Sequence, residues 1–140
     1  MRRLILDEPR RVAEWVFGRV FNRSDDTPFT AMGLEAGGEL IAGVVFNCYT
    51  GADVTLTFAA EKGKLWGRRQ WVASVFAYVF EQMGCIRCSV DVAESNPSSM
   101  AVIEGLGFTQ EGVKRCAATD GSDVRIYGML RRECPYLRLN

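Results

Sequence analysis

FAAEKGKLWGRRQ, the stretch from Phe58 to Gln70, contains the end of a strand, a loop with two glycines and the start of a helix. The residues just before it, from Val54 to Phe58, alternate strictly between apolar and polar side chains. Such alternation is typical of a strand that is covered on one face. The junction therefore indicates a fold that combines strands with helices.

Cations crowd this helix start, at Lys62, Lys64, Arg68 and Arg69. A helix start already carries partial positive charge and free backbone N–H groups, so further cations there are disfavoured unless an anion binds. Solvated loop charge is the alternative reading. A Walker phosphate loop is excluded, because Gly63 and Gly67 are too close together and no Lys-Ser/Thr pair follows.

The rest of the chain extends this pattern in both directions. Upstream, hydrophobic spacing and turn residues predict a helix and three strands, over Pro9 to about Asn22, Phe29–Ala36, Glu39–Thr50 and Asp53–Ala60. Downstream they predict a helix, a strand, a second helix and two strands, over Gly67–Met83, Ile86–Ala93, Asn96 to about Leu106, Phe108–Ala118 and Val124–Arg132. We therefore expect one α+β domain over residues 1–140, with a mixed, mostly antiparallel central sheet flanked by helices.

Composition narrows the possible functions. The 140 residues have a net charge of zero, which argues against nucleic-acid binding, and no apolar run is long enough to cross a membrane. The opening residues lack a signal-peptide pattern, and five cysteines fit reduced thiols, so we expect a cytoplasmic protein. Cys85 and Cys88 form a C-x-x-C pair, but the chain has no histidine and its other cysteines are scattered. We expect buried or idle thiols there and no bound metal.

A second motif lies near the end of the chain. Asn96, Pro97, Ser98 and Ser99 suit a helix start, with Asn96 as the cap. The spacing N-x-x-S followed by L-G-F-x-x-E-G-x-x-R, from Leu106 to Arg115, resembles the GNAT family of N-acetyltransferases, especially its ribosomal-protein branch. The Trp66-Gly67 helix entry resembles the phosphate loop of the same branch. The element order from Pro9 to Arg132 matches a GNAT domain, with the second family helix shortened or missing.

The resemblance implies an enzyme that uses acetyl-CoA as co-substrate and acetylates an amine-bearing acceptor, small molecule or protein. It assigns the phosphates to the loop and helix start, at Leu65, Trp66, Gly67, Arg68, Arg69 and Gln70. It assigns the pantetheine amides to the preceding strand, at Phe58, Ala59 and Ala60, and the neighbourhood of the thioester to Asn96 and Ser99. It places the acceptor near residues 22–30 and 117–123, and a homodimer fits the same resemblance.

Two departures from the family pattern leave alternatives open. Arg69 stands where the phosphate loop has a small residue, and Ile103 stands where many members have a tyrosine general acid. Ser99 or water must then protonate the departing thiolate. Glu61 is the first candidate for the base, followed by Asp91 and Glu94. The departures also allow a catalytically inactive, GNAT-shaped module that binds CoA or protein, and a weaker alternative is a phage-type enzyme that modifies nucleobases.

Overall fold

The computed structural model describes residues 2–20, 28–61 and 69–137 of the chain. The strands are β1 (Arg2–Ile5), β2 (Phe29–Ala36), β3 (Glu39–Asn47), β4 (Thr55–Ala60), β5 (Arg87–Ala93), β6 (Thr109–Lys114) and β7 (Val124–Leu130). The helices are α1 (Pro9–Phe17), α2 (Arg69–Ala77) and α3 (Pro97–Leu106), with a π-helical turn (Tyr78–Gln82) after α2 and a short 3-10 turn (Arg131–Glu133) after β7.

All seven strands form one sheet in the order β1-β2-β3-β4-β5-β7-β6. Every neighbouring pair is antiparallel except β4 and β5, which are parallel. The predicted α+β class, with a mixed and mostly antiparallel sheet, is therefore confirmed. None of the helices in the described ranges is long and apolar enough to cross a membrane.

Helices cover both faces of this sheet. On β3, Val45 packs with α1, whereas Val44 and Phe46 belong to the larger core that includes α2 and α3. Successive side chains of a strand point to opposite faces, so α1 lies on one face and the other two helices lie on the opposite face. The C-terminal segment extends the larger core, since the Tyr136 ring stacks on Phe76 of α2 with ring centroids 5.1 Å apart.

Two glycines let α1 approach the sheet closely. Gly33 of β2 and Gly43 of β3 are paired across the ladder. A Cβ atom at Gly33 would lie 2.9 Å from Val12 Cγ2, and one at Gly43 would lie 2.8 Å from Val16 Cγ2. Real Cβ atoms do not come this close to other carbons, so α1 occupies space that any side chain would fill.

The structure corrects several predicted boundaries. The first strand, β1, was not predicted. The strand predicted to run to Thr50 ends at Asn47, because Cys48 adopts a left-handed conformation with φ of 55°. The strand predicted to run to Ala118 ends at Lys114, shortly before Cys116, which has φ of 54°. Residues in this conformation break an extended strand.

The helices also differ from the prediction at their ends. The first helix ends at Phe17, where the Gly18 N–H donates to Glu14 O, while residues 21 and 22 of its predicted span lie outside the described residues. The described part of the second helix begins at Arg69, and its α-helical section ends at Ala77. The chain then continues as a π-helical turn, in which the Met83 N–H donates to Tyr78 O at 2.8 Å.

Candidate active site

The parallel strands β4 and β5 separate along their length. Their register contains the single pair Thr55–Ser89 within the described residues, and the Ser89 N–H donates to Val54 O at 2.9 Å. Beyond this pair β4 continues to Ala60 and β5 continues to Ala93 without further pairing between them. The sheet therefore has a gap between the C-terminal halves of its two central strands.

The alternation of the backbone shows which groups of β4 face the gap. Val54 O points toward β5, whereas the Glu61 N–H donates to Ile41 O of β3 at 2.8 Å. Because the backbone groups of a strand alternate in direction, the N–H and C=O groups of Phe58 and Ala60 face the gap. Those of Ala59 face β3, where Ala59 pairs with Gly43. Two of the three residues expected to meet the pantetheine thus present unpaired backbone groups to the gap, whereas the Ala59 side chain packs against the core on the α1 side.

A polar cluster fastens the closed end of the gap. Ser89 Oγ donates to the Asp53 carboxylate, with both oxygens at 2.9 Å, and accepts from Arg87 Nη2 at 3.0 Å. The same Arg87 atom contacts Glu111 Oε1 at 2.7 Å, and this hydrogen bond to Glu111 raises the pKa of Arg87. Sequence reasoning missed this cluster, because its members come from three separate parts of the chain.

The predicted phosphate site lies at the start of α2. Arg69 and Gln70 are the first two residues of the described part of that helix, and both are exposed. Burial raises the pKa of the Tyr136 hydroxyl, and the positive charge of Arg69 opposes this rise. The remaining predicted phosphate-binding residues, Leu65, Trp66, Gly67 and Arg68, lie outside the described residues.

The start of α3 follows directly after β5. Asn96 Oδ1 accepts from the Ser99 backbone N–H at 3.2 Å, so the predicted N-cap is confirmed. The Ser98 hydroxyl donates to the same oxygen at 3.1 Å, whereas no hydrogen bond among the described residues involves the Ser99 hydroxyl. Ser99 is half-buried and lies one helical turn before the buried Ile103, so both belong to one helix face. Of the two serines, Ser99 has the hydroxyl that is available to a ligand.

No tyrosine replaces the family's general acid in the described structure. Ile103 is buried in the larger core. The four tyrosine hydroxyls are each engaged within the protein: Tyr49 with Met83 O, Tyr78 with Thr30, Tyr127 with Glu104 and Tyr136 with Leu106 O. Burial also raises the pKa of both Tyr127 and Tyr136, which weakens them as proton donors.

The three candidate bases differ in their surroundings. The Asp91 carboxylate forms an ion pair with Lys114 at 3.2 Å, and the Glu94 carboxylate forms one with Arg125 at 3.0 Å. Glu61 is exposed directly after β4, and no ion pair of the described residues involves it. Sequence reasoning could not anticipate these ion pairs, since they join residues that are 23 and 31 positions apart.

The cysteines of the C-x-x-C pair are buried free thiols, as predicted. Burial raises the pKa of both Cys85 and Cys88, so neither is a ready thiolate. Within the described ranges, no group of three or more acidic or thiol side chains is arranged to hold a metal ion.

Comparison with known proteins adds a structural relationship. No protein-family model matches the sequence, and no curated protein matches it significantly. Among solved structures, the chain is similar to a probable acetyltransferase, with 19% identity, 94% of each chain covered and a TM-score of 0.69. It is also similar to mutant forms of the spermidine/spermine N-acetyltransferase SpeG from Vibrio cholerae, with 15% identity, 100% and 99% of the two chains covered and a TM-score of 0.73.

A further SpeG variant from Vibrio cholerae gives a TM-score of 0.76 at 16% identity, with 99% of this chain and 98% of that chain covered. Similarity over the whole length at such low identity shows a shared fold. The more specific resemblance to the ribosomal-protein branch stays a prediction. The chain has the fold of the GNAT superfamily of acetyltransferases.

Proposed function

We propose that this protein is an N-acetyltransferase that moves the acetyl group of acetyl-CoA to an amine of an acceptor. The observation that carries the proposal is the gap between β4 and β5, which leaves the backbone groups of Phe58 and Ala60 unpaired. Unpaired backbone groups at a strand edge bind extended amides as an added strand would. The two amides of a pantetheine arm are ligands of this kind.

The residues around the gap suit the rest of the donor. The start of α2 offers backbone N–H groups and the cation Arg69 to the CoA phosphates. Ala59 holds this part of β4 in place through its pairing with Gly43, and Asn96 fixes the start of α3 beside the gap. The proposed binding set is completed by Gln70 and by four residues that lie outside the described part of the chain, Leu65, Trp66, Gly67 and Arg68.

The chemistry is a direct transfer without a covalent enzyme intermediate. The acceptor nitrogen attacks the thioester carbonyl carbon, so that a C–N bond forms as the C–S bond breaks. The nitrogen gives up a proton to Glu61, directly or through water, and the Ser99 hydroxyl gives its proton to the departing thiolate. Water then returns a proton to Ser99 and takes up the proton from Glu61, so both side chains regain their starting states. Glu61 is the proposed base because Asp91 and Glu94 are each held in an ion pair.

A second candidate is a GNAT-shaped module that binds CoA without catalysis. Two observations favour this module: Ile103 is buried where the usual general acid would stand, and all four tyrosine hydroxyls are hydrogen-bonded within the protein. Both candidates predict CoA binding, and only the first predicts transfer. Modification of a nucleobase is a weaker alternative, since the net charge of zero gives DNA little attraction.

The acceptor and location are also proposals. The SpeG structures are named for action on spermidine and spermine, so these polyamines belong in an acceptor panel beside peptides with free amino termini or lysines. We place the reaction in the cytoplasm, where acetyl-CoA and reduced thiols such as the free cysteines of this chain coexist.

Calorimetry with acetyl-CoA and CoA tests the binding step. Ala60→Pro removes the N–H that faces the gap while sparing the hydrogen bonds between β4 and β3, and Ala60→Ser keeps that N–H at similar size. We expect Ala60→Pro to weaken CoA binding several-fold and Ala60→Ser to bind like the parent, as one hydrogen bond contributes about 1 kcal/mol. Equal binding by the two variants refutes the strand-like docking, and binding without transfer to any amine of the panel favours the non-catalytic module.

A further inference from the structure

Strand β1 forms one end of the sheet. It pairs with β2 from Arg2–Ala36 to Ile5–Gly33, and within the described residues no strand lies on its other side. Its outer backbone groups are therefore available to another strand. Edge strands of this kind are usually protected by charge, by proline or by a covering segment.

This edge carries two exposed leucines as well as the exposed Arg2 and Arg3. Leu4 is 40% exposed and Leu6 is 62% exposed, and both lie on the face of the sheet opposite α1. Both also line a groove of about 820 Å³ between the sheet edge and the π-helical turn, whose floor includes Met32, Phe46 and Tyr78. Exposed leucines beside an apolar groove are typical of an interaction surface.

We propose that the edge formed by β1 together with Leu6 and Asp7, the two residues that follow it, pairs with the same edge of a second copy of this chain, antiparallel and centred on Ile5, to form a dimer with one continuous sheet. The two copies are related by a two-fold axis perpendicular to the sheet. Each residue of one copy then lies opposite the residue of the other copy for which the two residue numbers add up to ten. Leu4 of each copy then faces Leu6 of the other on the groove side, and Arg3 faces Asp7 on the other side. Cross-strand pairs of both kinds stabilise antiparallel sheets.

The charges select this register and this occupant. Arg3 is 66% exposed although it contacts Glu35 at 3.2 Å, so its guanidinium can also reach an acidic partner across the edge. A register centred on Leu4 would place Arg2 opposite Leu6 and Arg3 opposite Ile5, which pairs each charge with an apolar side chain. The edge at β6 differs, because its register shifts between Gln110 and Gly112 and such a bulge interrupts a regular edge. The complementarity of β1 is with itself, which is what a symmetric dimer requires.

Sedimentation equilibrium of the full chain tests the dimer, with Leu6→Lys as the disrupting variant. Val113→Lys is the matched control, because Val113 is an exposed apolar residue, 46% accessible, on the opposite edge strand. We expect a wild-type dimer whose dissociation constant rises at least tenfold in Leu6→Lys and stays unchanged in Val113→Lys. A wild-type chain that is monomeric at millimolar concentration overturns the proposal, and so does a dimer that only Val113→Lys weakens.

Cysteine cross-linking tests the register independently of acetyl transfer. In a background with Cys48→Ser and Cys116→Ser, which removes the two exposed thiols, a mixture of Leu4→Cys and Leu6→Cys chains should cross-link between the two variants on mild oxidation. Both positions are exposed, so neither substitution disturbs the core. Preferential cross-linking of Leu4→Cys with itself, or a dimer that forms neither cross-link, overturns the pairing centred on Ile5.

Discussion

Replacing Asn96 by alanine tests whether the start of α3 stabilises the fold through its N-cap, separately from any role of Ser99 in acetyl transfer. The substitution removes the oxygen that accepts the Ser99 N–H at 3.2 Å and the Ser98 hydroxyl at 3.1 Å. Loss of an N-cap costs about 1 kcal/mol of unfolding free energy. With an unfolding entropy of about 2.1 cal/mol/K per residue, a chain of 140 residues has about 0.3 kcal/mol/K, so the melting temperature should fall by about 3 °C.

Thermal unfolding with and without CoA measures this effect. Asn96→Asp keeps a capping oxygen and should unfold like the parent, and Ser98→Ala should change little because its hydroxyl is exposed. Ser99→Ala should leave stability nearly intact but slow acetyl transfer by about a hundredfold or more, the usual contribution of a general acid. If Ser99→Ala transfers acetyl at the parent rate, water supplies the proton. The capping argument is wrong if Asn96→Ala has the same melting temperature as the parent, or if Asn96→Asp has the same melting temperature as Asn96→Ala.

Three further predictions concern the phosphate site, the core and pH. Arg69→Ala should weaken CoA binding about tenfold or more in calorimetry, since a charge-assisted contact contributes roughly 1.5–3 kcal/mol, and should leave the ligand-free melting temperature unchanged. Tyr127→Phe should lower the unfolding free energy in urea by about 1 kcal/mol, because it removes a 2.7 Å hydrogen bond to Glu104, whose exposed carboxylate can be solvated instead. The hydrogen bond from Arg11 holds the pKa of Glu35 in the folded protein below its ordinary value of 4.5. The ionised carboxylate therefore contributes its full stabilisation above pH 4.5, and this contribution is lost as the pH falls through the pKa that Glu35 has in the folded protein. Glu35→Gln should therefore be less stable at neutral pH and should show a smaller loss on acidification, which urea unfolding across pH 3–7 would detect.

Local patterns in the sequence predicted much of the fold. The Asn96 cap, the proline after it and the left-handed Gly107 that ends α3 all have short-range causes, and the structure reproduces them. The turn at Gly37 and Gly38 between β2 and β3 is of the same kind, since both glycines have positive φ. The α+β class followed from the order of such elements, which needs no knowledge of how the strands pair.

The candidate site depends on pairings that no local pattern encodes. The gap exists because β4 and β5 meet at Thr55 and Ser89 and then separate, and these residues are 34 positions apart by their numbers. The ion pairs that engage Asp91 and Glu94 likewise join residues that are far apart along the chain. The sequence marked these carboxylates as candidate bases, but their partners became visible only when the sheet order was known.

The close seating of α1 on Gly33 and Gly43 has a consequence for how substitutions combine. Either glycine, changed to alanine, would push α1 away from the sheet, because both methyl groups would meet valines of that helix. Once one substitution has displaced α1, part of the space that the second methyl group needs already exists. The two changes together should then destabilise the protein by less than the sum of their separate effects. Sequence variation at these two positions is therefore coupled through the helix: the first departure from glycine is the harmful one, and it makes the second easier to tolerate.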